Sequence, residues 1–345
     1  MTDTGPLFLS SDDLIADRRY QWALDQAWRG NLSGAADVLA QTVALAPRFA
    51  AAWFALGAIR DQLGDRAGAT AAFEQARDAD PEDHQGARLQ LARLACGEAT
   101  PAMTGTYVRR LFDQYATRYD AALIERLAYR GPAILHEAVQ AAMRASGRDM
   151  RFASMLDLGC GTGLGGAAFR PVVDRLVGVD LSPAMVAQAA AKGLYYRLAT
   201  ADLTTFLADE AGNAASFHLV LAADVFVYVN DLRPIAAAVE RVLAPGGLFA
   251  FTVETHAGDG VKLLPTLRYA HGESHLRDVL GDAGLAPAHL GAASVRSEKG
   301  MPVDSLVVVA EARAAHSRET GNPVPRSAEA TEPPPSRRRA ETARG

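Results

Sequence analysis

Hydrophobic spacing divides the chain into three stretches. Over the first hundred residues apolar positions recur every three or four residues, the pattern of packed amphipathic helices. From about Phe152 the pattern changes to short aliphatic runs separated by helical segments. The runs Met155–Leu158, Leu176–Asp180, Tyr195–Thr200, His218–Ala223 and Leu248–Val253 predict parallel strands, with helices over Pro183–Lys192 and Leu232–Leu243 between them. A helix over Ser274–Ala283 precedes two more runs, Ala288–Arg296 and Asp304–Ala310, which predict a final antiparallel pair. The expected fold class is α/β: a doubly wound, seven-stranded sheet with its last strand antiparallel, preceded by an all-α helical repeat domain. Ligands belong beyond the carboxyl ends of such strands. After Arg313 the chain is rich in Pro, Arg, Glu and Ser and cannot bury a core, which predicts a disordered tail. Its arginines at 337–339 could touch acidic partners, although a solvated tail explains them equally.

The helical stretch repeats itself at a spacing of 34: Gly30 with Gly64, Ala35 with Ala69, Leu39 with Phe73, and Pro47 with Pro81. In the second copy Trp53, Leu56, Gly57, Ala69, Phe73, Ala76 and Pro81 alternate large and small residues before a terminating proline. The first copy keeps Trp22, Ala23, Ala35, Leu39 and Pro47. A third begins near His84 with Ala87, Leu91 and Leu94 and stops near Gly97. The pattern resembles a tetratricopeptide repeat (TPR), in which small residues let paired helices approach and proline ends the second. Two and a half units are fewer than the three such arrays generally need, so the half unit has to lean on something. The TPR-like segment has two readings: a groove for a protein partner, or a domain that packs only on its own neighbour.

Length and charge narrow the class. A chain of 345 residues suits two domains. Net charge is −5, without the basic field that nucleic-acid binding requires, so no nucleic acid is expected. Cys96 and Cys160 are too few for a disulfide framework, and no metal site is expected. The acidic opening MTDTGPLFLSSDDL lacks a secretory pattern, and the longest apolar run, Ser216–Val229, is broken by His218 and Asp224. The expectation is a cytoplasmic protein with no membrane partner.

The chemistry lies in the first strand-to-helix turn. In MLDLGCGTG, Gly159, Gly161 and Gly163 follow a strand, where glycine lets a ligand approach the backbone. Gly161, Gly163 and Gly166 also satisfy the G-x-G-x-x-G dinucleotide template. A carboxylate at Asp157, two residues before the first glycine, argues against a pyrophosphate and for a cationic cofactor. Asp180 ends the second strand 23 residues later, at the spacing of a ribose-binding acid. Asp202, after the third strand, could accept from an adenine amino group or could N-cap a helix before Thr204.

The motifs MLDLGCGTG, VGVDLSPAM, ATADL and RVLAPGGLFAFTVE, over about Phe152–Glu311, resemble in order and spacing a class I S-adenosylmethionine-dependent methyltransferase. The resemblance implies a Rossmann-like sheet and S-adenosyl-L-methionine as cofactor. It implies that Gly159, Cys160, Gly161 and Gly163 cradle the methionine part, with Asp157 near its ammonium. It implies further that Asp180 holds the ribose, Leu181 and Met185 flank the adenine, Asp202 and Leu203 bind the base, and Ala222–Val225, including Ala223, face cofactor and acceptor. Cys160 between two glycines is better explained as a small residue than as a nucleophile.

The segment Tyr107–Leu135 carries Tyr107, Phe112, Tyr115 and Tyr119 at helical spacing, ordinarily a core stripe. Its FDQYATRYD wording resembles the cap helices of small-molecule methyltransferases of quinone and biotin biosynthesis, which makes Tyr115 and Tyr119 candidates for a lid. The full combination resembles a bacterial group of TPR-containing methyltransferases. The expected boundaries are 1–15 extension, 16–100 TPR-like repeats, 101–150 cap and linker helices, 151–313 methyltransferase domain and 314–345 tail. Asp224, Glu254, His256 and His271 are candidate general bases or substrate contacts near the strand ends, each with a reading as an ordinary structural residue. A small-molecule acceptor is expected; the alternatives are a protein substrate recruited by the repeats and a non-catalytic scaffold.

Overall fold

The computed structural model describes residues 10–95, 102–121, 128–298 and 300–312. Cys96, the first nine residues, part of the cap at 122–127 and the tail, with its arginines at 337–339, lie outside the described residues.

The amino-terminal stretch forms α1 (Leu14–Trp28), α2 (Leu32–Leu45), α3 (Ala50–Gln62), α4 (Arg66–Ala79) and α5 (Ala87–Leu94). The spacing of 34 is visible in the backbone. Gly30 and Gly64 turn with φ of 85° and 82°, and Asn31 and Asp65 then cap α2 and α4 by accepting from the N–H groups of Gly34 and Gly68. Between α3 and α4 the small-against-large pairing is literal. A methyl group added at Gly57 would sit 2.8 Å from the Phe73 ring, which is itself fully buried. Leu89 of α5 shares a small core with Ala102, Leu263 and Tyr269. The Ala102 N–H also donates to the Tyr269 hydroxyl at 3.1 Å.

The cap segment contains α6 (Gly105–Tyr115) and the short α7 (Tyr119–Ala121), followed by α8 (Gly131–Ala145). The remaining strands are β1 (Phe152–Leu158), β2 (Val173–Asp180), β3 (Arg197–Thr200), β4 (Phe217–Ala222), β5 (Leu243–Thr255), β6 (Val261–Leu263), β7 (Tyr269–His271), β8 (Leu285–Ala293), β9 (Ser297–Glu298), β10 (Met301–Pro302) and β11 (Ser305–Ala312). Interleaved helices are α9 (Leu164–Phe169), α10 (Pro183–Ala191), α11 (Leu203–Gly212), α12 (Arg233–Val242) and α13 (Glu273–Asp282). The main path runs β3-β2-β1-β4-β5-β11-β8, parallel except for β11, which is antiparallel to both β5 and β8.

Among the described residues the sheet has nine strands rather than seven. β7 adds parallel to the end of β5 and β6 pairs with it, while β9 and β10 form a separate ribbon. These strands are two or three residues long, too short to leave an alternating pattern in sequence. α11 follows Asp202, where the N-cap reading placed a helix start, and Tyr195 lies just before β3 rather than in it.

Alternation within each strand loads both faces of the sheet. Leu156, Leu158, Val177, Val179 and Val220 pack with residues of α11, α12 and α13. Met155, Leu176, Leu219 and Leu221 pack with Leu135, Val139 and Met143 of α8 and Phe169 of α9. Chain order reverses between β1 and β4, opening a crevice at their carboxyl ends. Among the described residues, no helix is long and apolar enough to cross a membrane.

Replacing Gly57 by valine forces a branched side chain against the Phe73 ring. It is expected to lower stability by about 2 kcal/mol, read as a fall in the midpoint of denaturant unfolding.

Candidate active site

Residues following four successive strands of the path meet at the crevice. A cavity of about 310 Å³ is lined by Gly159 and Gly161 after β1, Asp180 and Leu181 after β2, Asp202 and Leu203 after β3, and Ala223 and Asp224 after β4. Its other wall includes Met103, Val108, Phe112 and Tyr119 from the cap and Tyr228 after β4. A smaller cavity of about 30 Å³ adjoins it, sharing Tyr119, Gly159, Gly161 and Ala223 and adding Asp157, Cys160 and Tyr129.

The glycines of the loop have different neighbours. A methyl group at Gly161 would meet nothing within 4 Å, so this position leaves open space beside the cavity. At Gly159 it would press on Val225 at 2.6 Å, and at Gly163 on the Tyr195 ring at 3.1 Å. Gly163 lines neither cavity. The Gly161 N–H donates to Asp180 Oδ2 at 2.8 Å, and the Ser182 N–H donates to Oδ1 at 2.8 Å. Burial nonetheless pushes the Asp180 pKa up, against these donors.

Asp202 does cap α11: Oδ1 accepts from the N–H groups of Thr204 and Thr205 at 2.9 and 3.2 Å. It also lines the cavity, so the two readings of this residue are compatible.

Several sequence expectations change. Asp157 is 1% exposed, lines only the smaller cavity, and accepts from the Tyr195 hydroxyl at 2.7 Å. Burial raises its pKa to about 7, opposed by Tyr195 and the Gly166 N–H, so it is not the fixed negative charge the sequence suggested. Met185 is fully buried and lines neither cavity. Tyr115 is 48% exposed and likewise lines neither. The thiol of Cys160 is pushed far up by burial and by the nearby Asp157 and Asp180, which removes it as a nucleophile.

Of the candidate bases, only Asp224 lines the cavity. Its backbone is left-handed, with φ 59°, and its carboxylate pairs at 2.5 Å with Arg296, which is itself buried. Arg296 also pairs with Glu254, and at 3.1 Å with Glu298. Glu254 is buried in this cluster and does not line the cavity. Burial works against the charge of Arg296, but Asp224 and Glu254 outweigh it and raise its pKa. Arg268 pairs with Glu254 at 3.6 Å and with Glu298, and hydrogen-bonds the Tyr228 hydroxyl.

His256 lies in a different surface groove, with Nδ1 accepting from the Gly258 N–H. His271 is fully buried, its Nε2 lies 3.3 Å from the Phe226 carbonyl, and burial lowers its pKa to about 4. It is a neutral core residue.

Sequence reasoning overlooked the groups that fasten the α6–α7 segment to the sheet domain's loops and helices. Asp113 Oδ1 accepts from the Ser182 hydroxyl at 2.5 Å, at the start of α10. Asp120 pairs with Lys192 at 2.7 Å and accepts from the Thr162 hydroxyl in the glycine loop. Both acids stand within FDQYATRYD, seven residues apart, and that spacing was the available signal. Phe112 meets the Tyr119 and Tyr228 rings edge-on at 5.9 and 5.2 Å, forming an aromatic wall.

Residues 156–249 match a family model described as a methyltransferase domain. The match runs from within β1 into β5 and takes in the glycine loop, Asp180, Asp202 and Asp224. The chain is similar to methyltransferase-like protein 27 of Homo sapiens, at 41% identity over 87 residues. That stretch is 25% of this chain and 34% of the human protein, so the alignment spans about a third of the relative's length. Two solved structures to which the chain is similar are methyltransferases. The N-methyltransferase NodS of Bradyrhizobium japonicum WM9, in complex with S-adenosyl-l-homocysteine, is 20% identical with a TM-score of 0.41, over 52% of this chain and 86% of that one. The magnesium protoporphyrin IX methyltransferase of Synechocystis PCC 6803, with bound SAH, is 20% identical with a TM-score of 0.45, over 61% and 99%.

Two measurements check this electrostatic picture. Arg296→Leu leaves the half-buried Asp224 without its cation and the buried Glu254 with only the more distant Arg268, and is expected to destabilise the protein by about 3 kcal/mol in chemical unfolding. His271 is expected to give a pH signature. Its folded pKa of about 4 lies below the unfolded value of 6.5, so the stability it contributes is full above pH 6.5 and is lost between 6.5 and 4. In urea melts the wild type should lose about 3 kcal/mol more than His271→Gln over that window.

Proposed function

We propose that the protein is an S-adenosylmethionine-dependent methyltransferase acting on a small molecule held beneath the cap. The observation that carries this reading is the set of strand ends in the matched segment: Gly161 leaves space beside a cavity walled by Asp180, Asp202 and Asp224. The match of residues 156–249 to a methyltransferase model favours S-adenosylmethionine over a dinucleotide. Asp180 uses one lone pair of each oxygen on the Gly161 and Ser182 N–H groups and keeps others for ribose hydroxyls. Leu181 and Leu203 offer apolar contacts for a flat base, and Asp202 an acceptor for its amino group. Asp157 and the loop backbone serve the methionine end at the smaller cavity.

The cofactor supplies a methyl group already activated by its sulfonium, so the chain's task is chiefly to align an acceptor nucleophile in line with the sulfur–methyl bond. Alignment of this kind is worth about 7 to 11 kcal/mol. The aromatic wall of Phe112, Tyr119 and Tyr228 encloses the acceptor and excludes water, while Asp113 and Asp120 fasten the cap that carries Phe112 and Tyr119. Asp224 faces the acceptor with its charge balanced by Arg296, a polar anchor rather than a free base. The helical hairpins at a spacing of 34 are of tetratricopeptide type, and their half unit is spent on the protein's own β6–β7 ribbon. That packing favours a small-molecule acceptor over a recruited protein.

Calorimetry tests this. S-adenosylmethionine should bind the full chain and NAD should not, and Asp180→Ala should weaken binding on the order of 100-fold, because two hydrogen bonds to a charged group are lost. Equal affinity in that variant overturns the ribose assignment.

A further inference from the structure

Resting on the methyltransferase reading, we infer that Tyr195 is a positioning residue of the cofactor site: its phenol, seated in space left by Gly163, Gly166 and Gly178, holds the Asp157 carboxylate in place at the smaller cavity, toward the cationic end of S-adenosylmethionine. Tyr195 comes from the segment just before β3, 38 residues from its partner, and its hydroxyl donates to Asp157 Oδ2 at 2.7 Å. The ring is closely walled by glycine. A methyl group would lie 2.4 Å from its hydroxyl at Gly166, 2.7 Å from a ring carbon at Gly178, and 3.1 Å at Gly163. Any side chain at the first two positions therefore displaces the phenol. The glycines of the loop thus divide: Gly161 faces open space, whereas Gly163 and Gly166 make room for an aromatic ring.

The hold matters because Asp157 is 1% exposed, and a carboxylate so buried keeps its charge only where donors converge on it. Its donors are the Tyr195 hydroxyl and the Gly166 N–H, and both oppose the rise that burial imposes. The other titratable groups facing it are Asp180 at the end of β2, Cys160 in the loop and Tyr129 ahead of α8. Asp180 repels the second charge, which makes the tyrosine's donation the more necessary. A phenylalanine at 195 would keep the ring while losing the hydroxyl's donation to Asp157 and its acceptance from the Gly166 N–H, separating packing from electrostatics.

The test uses the full chain as wild type, Tyr195→Phe and Asp157→Asn. Carbon-13 NMR of labelled aspartate, assigned through Asp157→Asn, follows Asp157 against pH in the free protein. Tyr195→Phe should move its midpoint up by about one pH unit. Calorimetric affinity for S-adenosylmethionine should fall on the order of tenfold in Tyr195→Phe at pH 7 and recover by pH 9. Asp157→Asn should retain only the titration of the ligand's own ammonium, which is common to all three proteins. An unmoved Asp157 midpoint, or a binding defect constant with pH, overturns the proposal. Should Tyr195→Phe fail to fold, the Tyr195 Cζ signal of the wild type decides: it should shift with the Asp157 midpoint, and an independent response overturns the idea. If the wild type binds no S-adenosylmethionine, the methyltransferase reading falls, while the Asp157 titration still judges the role of Tyr195.

Discussion

Two carboxylates buried at the ends of apolar strands set the terms for everything around them. Asp157 and Asp180 close β1 and β2, whose neighbouring side chains are Leu, Val and Met, and neither is well solvated. Such charges are tolerable only where donors converge on them. The loop after β1 answers that demand: Gly161 turns its N–H to Asp180, and Gly166, at the start of α9, offers its own to Asp157. The course of the loop is thus fixed from within before any ligand is considered.

The opposite side of the crevice obeys the same rule with cations. Buried Arg296 gathers Asp224, Glu254 and Glu298 into one ion cluster, and Arg268 joins it. Asp224 adopts a backbone conformation that costs a non-glycine residue of order 1 to 3 kcal/mol, and its N–H is held by Thr252 Oγ1 at 2.9 Å. Strain held in place by a buried ion cluster gives a stiff wall. The wall from α6 and α7, by contrast, is fastened through a few polar side chains, Asp113, Asp120, Ser182, Thr162 and Lys192.

What the sequence made legible was whatever rests on local spacing. The five parallel strands, the final antiparallel pair and the acids Asp180 and Asp202 all lie where periodicity and turn position put them. What it hid was pairing between distant residues. Glu254 and His271 stand near strand ends, as active bases do, yet Arg296 claims one and the core encloses the other, and both facts depend on packing more than 15 residues away. Tyr195 escaped notice for the same reason, since its partner lies two strands away in the chain. The charge of Asp157 was misjudged because burial, which sets it, is a property of the folded sheet.

The junction at Leu89, Ala102, Leu263 and Tyr269 ties the amino-terminal helices to an ornament of the sheet. Severing the chain near residue 100 would strip an oily surface from both pieces at once, so an isolated repeat fragment would be a sticky and misleading bait. The same packing limits modular exchange: a foreign helical segment grafted here would leave Tyr269 and Leu263 uncovered unless it brought its own equivalent of Leu89.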